Sequence, residues 1–474
     1  AAAEKRLPPS NSAPVAWQQE IESRATELAA VNDPLIAGRA ADVRDVGERV
    51  LTLLADPEGV TSSLPGHPVI LVADDLTPSD TASFDPKIIQ GFCTAKGGAT
   101  SHTAIIARSL NIPAVVGAGE SVLSLAKNPS TTPAVLDGDQ GQLYAHPTSA
   151  DLEQARTAQK ERQRLRDVEW NSRYQPALTR DGHRVEVVAN IGAPAEAQQA
   201  VEAGGEGVGL LRTEFLFLKR SSPPDEAEQR RAYQQMTEAL NGLPLIIRTL
   251  DIGGDKEVSY LNMPKEENPF LGIRGVRLCF DQPKLFDMQL RAILETAKTG
   301  YVRVMFPMIA TLEDIREAKM RLEAVRSQLN APPVEIGMMI EVPSAVFLAA
   351  EFAQEVDFFS VGTNDLTQYL LAMDRGHPTL AKQADALHPA VLRAIHQTVQ
   401  AADEAEKWVG VCGGLAGEPL GAKILVGLGV QELSMSIPSI PAIKAGIRNQ
   451  SFKQLQTLAQ KALRCQTAAE VRAL

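Results

Sequence analysis

Short apolar runs rich in β-branched residues recur along the second part of the chain, and each is followed by polar residues and a stretch of helical spacing. Runs of this length, bounded by turn residues, are typical of strands buried on both faces. Eight of them, alternating with helices between residues 181 and 474, predict a (β/α)8 barrel of the TIM type. The predicted strands lie at 185–191, 207–211, 245–250, 302–308, 336–340, 358–361, 409–412 and 433–435.

Before this region, the pattern of apolar and polar positions is different. It predicts a smaller α/β domain over residues 61–149. Residues 69–73 and 114–116 have the composition of strands, and 87–93 indicate a passage from helix into strand. Residues 132–144 indicate a hairpin, because an Asp-Gly pair separates two apolar segments. We therefore expect two folded domains of different size.

The remaining segments are polar. Residues 1–60 begin with a stretch rich in proline, serine and asparagine and continue with helical spacing. Residues 150–180 are strongly charged and predict a solvated helix that links the two domains, although an ordinary surface helix has the same pattern.

Composition narrows the class of protein. The net charge of −11 argues against nucleic-acid binding, which needs a basic face, and no apolar run is long enough to span a membrane. The four cysteines show no CxxC spacing, so a reducing, cytoplasmic environment is expected. The chain does not begin with methionine, and we expect it to be a piece of a longer protein.

One histidine stands out within the small domain. Gly97 and Gly98 permit tight turns, and Thr100 or Ser101 can cap the helix that the following apolar spacing predicts. His102 would then lie over free amide groups at the positive end of that helix, where a phosphate group is stabilised. His102 is therefore a candidate carrier of phosphate; the alternative is a capped helix with an incidental histidine.

Polar side chains follow many of the predicted barrel strands, at the ends where barrel enzymes carry their active sites. Several arginines converging on one barrel mouth would suit a phosphate or carboxylate ligand. The residues at these ends are Arg212, Arg248, Asp251, Glu341, Asn364, Asp365 and Cys412.

Two further kinds of chemistry are available at these strand ends. Glu341 and Asp365 can supply two oxygen ligands to Mg²⁺, which leaves its other positions to water and substrate phosphate. Cys412 precedes two glycines that let a ligand approach its thiol, so it is a candidate acid or nucleophile. Taken alone, Cys412 would more often be a small buried apolar residue.

Long motifs in both domains resemble enzyme I of the sugar phosphotransferase system, the phosphoenolpyruvate–protein phosphotransferases, from about residue 40 to residue 474. The matching stretches are 97–117, 207–217, 248–256, 265–274, 357–369 and 373–376.

The resemblance implies a phosphohistidine domain that swivels between two sites. His102 matches the histidine that takes phosphate from phosphoenolpyruvate, and Cys412 matches the residue that protonates the enolate carbon. Glu341 and Asp365 match the Mg²⁺ ligands. The family passes the phosphate on to a histidine of the phosphocarrier HPr, and its barrel forms a homodimer. The positions that match the family's substrate-binding residues are Arg212, Arg248, Arg274, Asn364, Asp365 and Arg375.

Two departures from the family pattern refine this expectation. Residues 1–60 resemble only the last part of the helical subdomain that docks HPr, so onward transfer is the step most affected. Gly413-Gly414-Leu415 stands where many free-standing members have Gly-Glu-Leu. Together with the motif before His102, this is similar to the enzyme-I module of multiphosphoryl transfer proteins, which carry their own HPr domain.

Two other interpretations remain open. A fragment of a pyruvate phosphate dikinase would share both domains, but residues 1–60 lack a glycine-rich nucleotide-binding segment. A phosphoenolpyruvate sensor that passes no phosphate on would have little use for the complete set of His102, Cys412 and the two metal carboxylates.

Overall fold

The structure is a computed structural model, and the chain divides into two compact units, Ala1–Arg162 and Gln163–Leu474. Each unit has its own hydrophobic core. The residues it describes are 13–30, 40, 43–44, 46–47, 50–51, 67–76, 84–85, 87–97, 103–104, 107, 112–127, 133–218, 220–254, 258, 260–261, 263, 266–377 and 380–474.

The first unit contains a parallel sheet of three strands in the order β1-β2-β3, and a separate antiparallel pair, β4 and β5. The strand at 69–73 and the hairpin coincide with prediction, whereas a turn rather than a helix leads into β2. The elements described are α1 (Ala13–Ala29), β1 (Val69–Ala73), β2 (Ile89–Thr94), β3 (Ala114–Val115), α2 (Leu123–Lys127), β4 (Val135–Asp137) and β5 (Gln142–Tyr144).

Several described residues near the His102 segment in sequence are closely packed. Gly97 has a φ of 98°, as expected of a glycine in a tight turn. Gly117 approaches it so closely that a Cβ at Gly117 would lie 2.8 Å from the Gly97 carbonyl oxygen. Thr103 is buried, and its hydroxyl donates to Asp75 Oδ1 at 3.1 Å. His102 itself lies outside the described residues.

The predicted charged helix is α3 (Ser149–Asn171), and none of its 23 residues is buried. Its alternation of charges and lack of a buried face agree with a helix surrounded by solvent. The domain limits at residues 60, 149 and 180 stay predictions.

The second unit is a closed barrel. Eight parallel strands pair in chain order from β7 to β14, and β14 pairs in turn with β7, which closes the sheet; β6 adds an antiparallel edge to β7. The strands are β6 (Ala177–Leu178), β7 (Arg184–Ile191), β8 (Val208–Arg212), β9 (Leu245–Arg248), β10 (Val302–Phe306), β11 (Ile336–Ile340), β12 (Phe358–Val361), β13 (Trp408–Val411) and β14 (Glu432–Met435).

Helices surround these strands. They are α4 (Pro194–Glu202), α5 (Glu226–Leu240), α6 (Val276–Asp281), α7 (Pro283–Ala297), α8 (Leu312–Leu329), α9 (Pro343–Phe347), α10 (Ala349–Ala353), α11 (Thr363–Leu371), α12 (Pro389–Glu404), α13 (Pro419–Gly427), α14 (Ile440–Arg448), α15 (Phe452–Arg464) and α16 (Ala468–Arg472). Within the parts of the chain that the structure describes, no helix has the length and apolarity needed to cross a bilayer.

Alternating residues of the strands build two layers of core. One set of side chains packs outward against the helices, and a second set fills the inside of the barrel, including Ile246, Met305, Met339 and Phe358. This packing is typical of TIM barrels, whose interior is a solid core and not a pore. The predicted fold class, an α/β chain with a TIM-type barrel, is confirmed.

Candidate active site

The carboxyl ends of the barrel strands bring the sequence-predicted residues to one face. Arg212 and Arg248 end β8 and β9, Glu341 follows β11, and Cys412 follows β13. Asn364 and Asp365 lie in the first turn of α11, which follows β12 directly. Because parallel strands end on one rim, side chains far apart in sequence become neighbours there.

Arg248 is held between two carboxylates. Its Nη2 lies 2.8 Å from Glu214 Oε1, and its Nη1 lies 2.9 Å from Asp251 Oδ2. All three side chains are almost completely buried. Burial alone would lower the pKa of Arg248, but the charges of Glu214 and Asp251 outweigh burial and raise it.

Arg274 continues this arrangement from the loop after β9. Its Nε and Nη2 donate to the two carboxylate oxygens of Asp251 at 3.0 and 3.2 Å, and its Nη1 donates to Asp365 Oδ1 at 2.8 Å. Arg375 in turn donates to Asp365 Oδ2 at 3.2 Å. Burial would raise the pKa of Asp365, but the hydrogen bond from Arg274 and the positive charges of Arg274 and Arg375 together outweigh burial and lower it.

These contacts form one continuous series, which we term the ion-pair chain. Each charge in its interior is neutralised on two sides, which is how buried charges are tolerated. Such an array is fixed before a ligand arrives and presents guanidinium groups to an anion at little cost of reorganisation. Its members are Glu214, Arg248, Asp251, Arg274, Asp365 and Arg375.

Glu341 lies beside this series, and one of its two carboxylate oxygens has no hydrogen-bond partner. Its Oε1 accepts a hydrogen bond from the Met308 backbone amide at 2.7 Å, whereas its Oε2 is buried without a hydrogen-bond partner. A Cβ on Gly362 would lie 2.9 Å from Oε2, so the glycine leaves space for this carboxylate. Burial and the nearby charges of Asp365 and Asp251 raise the pKa of Glu341.

The residues present therefore fit a hard divalent cation. An unpartnered carboxylate oxygen of Glu341 near the carboxylate of Asp365 offers the oxygen ligands that such ions prefer. Among the described residues no cluster of three or more histidine, cysteine or acidic side chains is placed to hold a metal.

Cys412 lies at the end of the next strand along the barrel. It is buried, and its Sγ is 3.7 Å from the Val361 carbonyl oxygen. Burial raises the pKa of the Cys412 thiol to about 11, although the nearby Ser360 hydroxyl and the positive charge of Arg248 act in the opposite direction. The thiol is therefore protonated at neutral pH and is suited to donate a proton.

Asn364 connects the rim segments after β12 and β13. Its Oδ1 accepts a hydrogen bond from the Gly414 backbone amide at 3.2 Å. Gly413 packs so closely on the start of α11 that a Cβ there would lie 1.8 Å from Thr363 Oγ1. Arg212 is half-buried, and its positive charge lowers the pKa of the Cys412 thiol.

Some residues of the site were not assigned a role from the sequence. Glu214 follows a predicted strand as an ordinary turn residue does, and Asp251 was noted only as a polar strand end. Phe270 was missed as well, and its ring lies 5.8 Å from the Arg274 guanidinium carbon and 5.6 Å from that of Arg375. Acidic residues two or three positions from a strand-end arginine would have been the signal for the first two.

Family models match both parts of the chain. Residues 166–452 match "PEP-utilising enzyme, PEP-binding domain", and residues 65–141 match "PEP-utilising enzyme, mobile domain". With the barrel and its ion-pair chain, these matches define the class: the chain belongs to the phosphoenolpyruvate-utilising enzymes.

Curated relatives are similar over almost the whole chain. A multiphosphoryl transfer protein of Rhodobacter capsulatus is 57% identical over 98% of this chain and 56% of its own length. One from Xanthomonas campestris is 51% identical over 97% of this chain and 55% of its own length. A phosphoenolpyruvate-protein phosphotransferase of Haloferax volcanii is 46% identical over 91% of this chain and 76% of its own length. The chain thus spans about half the length of the multiphosphoryl transfer proteins it matches.

Proposed function

We propose that this chain transfers the phosphoryl group of phosphoenolpyruvate to His102, releases pyruvate, and passes the group on to a histidine of an HPr phosphocarrier as the first step of phosphotransferase-linked sugar uptake. The observation that carries the proposal is the ion-pair chain beside a protonated Cys412 on one barrel rim. The names of the curated relatives support the same reaction.

The chemistry divides between the two ends of the substrate. Arg212, Arg248, Arg274, Asn364 and Arg375 hold the phosphate and carboxylate oxygens. The bond between the bridging enol oxygen and phosphorus breaks as a bond forms between phosphorus and an imidazole nitrogen of His102. These positions neutralise and orient the transferring group, which is most of what phosphoryl transfer requires.

The enolate that remains must gain a proton at carbon. Cys412 delivers the proton of its thiol to the methylene carbon, which gives pyruvate, and the thiolate is reprotonated from solvent. A neutral thiol at pH 7 follows from the raised pKa of Cys412.

We assign the divalent cation of this site as Mg²⁺, held by Glu341 and Asp365. When bound, Mg²⁺ neutralises phosphate charge and orients the substrate oxygens. The unpartnered Oε2 of Glu341 supports this assignment.

The phosphate acceptor, the oligomeric state and the cellular location that we propose are those expected of the same family. We propose that the acceptor is an HPr phosphocarrier, either a separate protein or a domain of the same parent chain, as the similarity to multiphosphoryl transfer proteins favours. On the same chain its effective concentration would be raised. The barrel forms a homodimer, and the reaction takes place in the cytoplasm, which agrees with four free cysteines.

Mass spectrometry under non-acidic conditions tests the first half-reaction. After mixing with phosphoenolpyruvate and Mg²⁺, the chain is expected to gain one phosphoryl group that acid removes and that His102→Ala lacks. HPr added afterwards should take the group. Binding of phosphoenolpyruvate without phosphorylation would contradict the proposal and favour a sensor.

A further inference from the structure

The last helix of the chain ends at an arginine that bridges two segments of the active-site rim. Arg472 Nε and Nη2 donate to Asp385 Oδ2 and Oδ1 at 2.6 and 2.9 Å, and Nη1 donates to Glu418 Oε1 at 2.6 Å. A guanidinium engaged by one carboxylate through two bonds and by a second through another has a fixed orientation. We term Asp385, Glu418 and Arg472 the C-terminal bridge.

The first of these segments carries one of the proposed substrate-binding residues. Asp385 closes the stretch between α11 and α12, which contains Arg375. The stretch is ordered at its end because Asp385 Oδ1 also accepts the backbone amide of Leu387 at 3.0 Å. Asp385 thus lies in the same interhelical stretch as Arg375.

The second segment carries the proposed acid. Glu418 immediately follows the 3-10 turn Gly414–Gly417, which begins two residues after Cys412. The Glu418 side chain makes no capping bond to α13, so its charge is available to Arg472. A 3.2 Å hydrogen bond from the Gly414 amide to Asn364 also joins the second segment to α11, the helix that precedes the first segment.

A groove of about 390 Å³ lies between the segments at this point, and the three members of the C-terminal bridge line it together with Asn364 and Gly414. Arg472 thus reaches both segments where a groove, and not a packed core, separates them. Its side chain is 47% exposed, whereas the neighbouring Val471 is completely buried and anchors the helix. Arg472 therefore contributes little to the core and is placed to set the spacing of the rim.

We propose that Arg472 is a positioning residue for phosphoryl transfer: it fixes the stretch between α11 and α12, which contains Arg375, relative to the segment that carries Cys412. This inference rests on the proposed function. The two segments hold opposite ends of one small substrate, and a misplacement of about 1 Å between reacting groups is enough to slow an enzyme substantially.

Single-turnover kinetics of the full chain tests the role. We expect R472A to slow pyruvate release by about three- to ten-fold, with a smaller change in the phosphoenolpyruvate concentration that gives half the maximal rate. R472K keeps the positive charge but lacks the planar guanidinium that binds both carboxylates, so its pyruvate release should remain slow. Guanidinium ion in the millimolar range should partly restore R472A.

Matched variants separate positioning from general stability. Arg464, an exposed arginine in the last turn of α15, lies eight residues earlier, and R464A should match the wild type in rate. E418Q removes one partner of Arg472, and its effect should not add to that of R472A. A wild-type rate in R472A, or a loss of rate that follows only a lower melting temperature and that guanidinium does not restore, would overturn the inference.

Hydrogen–deuterium exchange tests the bridge without relying on turnover. Amides of residues 413–418 should exchange faster in R472A than in the wild type and R464A, with no change in the barrel strands. Unchanged exchange in this segment would overturn the inference even if the chain is active. Failure of wild-type phosphorylation would instead refute the proposed function, and the exchange result would still decide whether Arg472 orders the rim.

Discussion

Every arginine of the ion-pair chain owes its position to a carboxylate. Arg274 illustrates this best, since its guanidinium reaches both oxygens of Asp251 and one of Asp365, with a side chain that is 2% exposed. Positive groups gathered at one rim, as the proposed binding of an anionic substrate requires, would otherwise repel one another. The carboxylates hold the guanidinium groups in place and keep the site close to neutral before the substrate binds.

The several hydrogen bonds of the Arg274 guanidinium should contribute more to stability and substrate binding than its positive charge alone. R274K retains a cation but cannot reach both carboxylates, so we expect the free energy of unfolding to fall by about 1–3 kcal/mol and phosphoenolpyruvate to bind at least about tenfold more weakly. Thermal unfolding and calorimetric titration in the presence of Mg²⁺ measure the two effects. R291K alters a half-exposed ion pair with Glu226 and should change neither. Equal affinity in R274K would show that charge alone suffices.

A further buried carboxyl lies inside the barrel, away from the rim. Glu432 begins β14, is 2% exposed, and has no hydrogen-bond partner for either carboxylate oxygen. Burial raises the pKa of Glu432 to about 8; Arg303 opposes this rise, and Glu186, which pairs with it in the neighbouring strand, adds to it. The group is therefore neutral in the folded chain at pH 7.

This raised pKa predicts a pH dependence of stability. Between the ordinary value of 4.5 and about 8, the unfolded chain ionises Glu432 while the folded chain keeps it protonated, so stability falls as pH rises through this window. E432Q removes the ionisation and should flatten the fall, which amounts to about 1–4 kcal/mol between pH 5 and 8. Melting temperatures of both proteins across this range measure it. The exposed E238Q should keep the wild-type slope.

At the scale of elements, the segment after β13 is pressed against the start of α11. Gly413 has an ordinary φ of −82°, so the reason for glycine is space and not backbone conformation. An added Cβ would lie 1.8 Å from Thr363 Oγ1 and 2.7 Å from the Thr363 amide nitrogen. One of the two elements that carry Cys412 and Asn364 must then move.

G413A should therefore impair the site and the fold together. We expect a loss of about 1–3 kcal/mol in the free energy of unfolding and at least about tenfold slower pyruvate release. G446A is the control: this glycine lies inside α14 with nothing within 4 Å of an added Cβ, and the change should stabilise the chain by about 0.5–1 kcal/mol. A wild-type rate in G413A would mean that the two elements move apart without consequence.

The barrel strands could be predicted from sequence because each is a short apolar run that ends at a polar residue. Residues 336–340 and 358–361 agree with β11 and β12 at both ends. The rim residues then followed, since a barrel places strand ends together. The contacts that join distant segments could not be predicted: Arg472 and Asp385 are 87 residues apart, and no local pattern links them. The role of Glu214 could not be predicted either, because an acidic residue after a strand is equally typical of an ordinary solvent-exposed turn.

At the scale of the whole molecule, two units with separate cores are joined by α3. The described core of the first unit is small, around Ile89 and Phe92, whereas the barrel closes on itself through the pairing of β14 with β7. The helix between them buries none of its residues. The proposed function therefore places phosphoenolpyruvate binding and phosphoryl acceptance on different units, because the proposed substrate-binding residues lie on the barrel and His102 belongs to the first unit.

This division predicts that the fragment 149–474 folds and binds substrate alone. It contains all the strands that close the barrel and the whole ion-pair chain, so we expect one cooperative unfolding transition and an affinity for phosphoenolpyruvate with Mg²⁺ within about threefold of the full chain. No phosphoryl group should be gained, because His102 is absent. The same fragment with R212A is the control and should bind substrate more weakly. A soluble, folded fragment that binds no phosphoenolpyruvate would mean that the first unit completes the binding site, and the division of roles between the units would have to be abandoned.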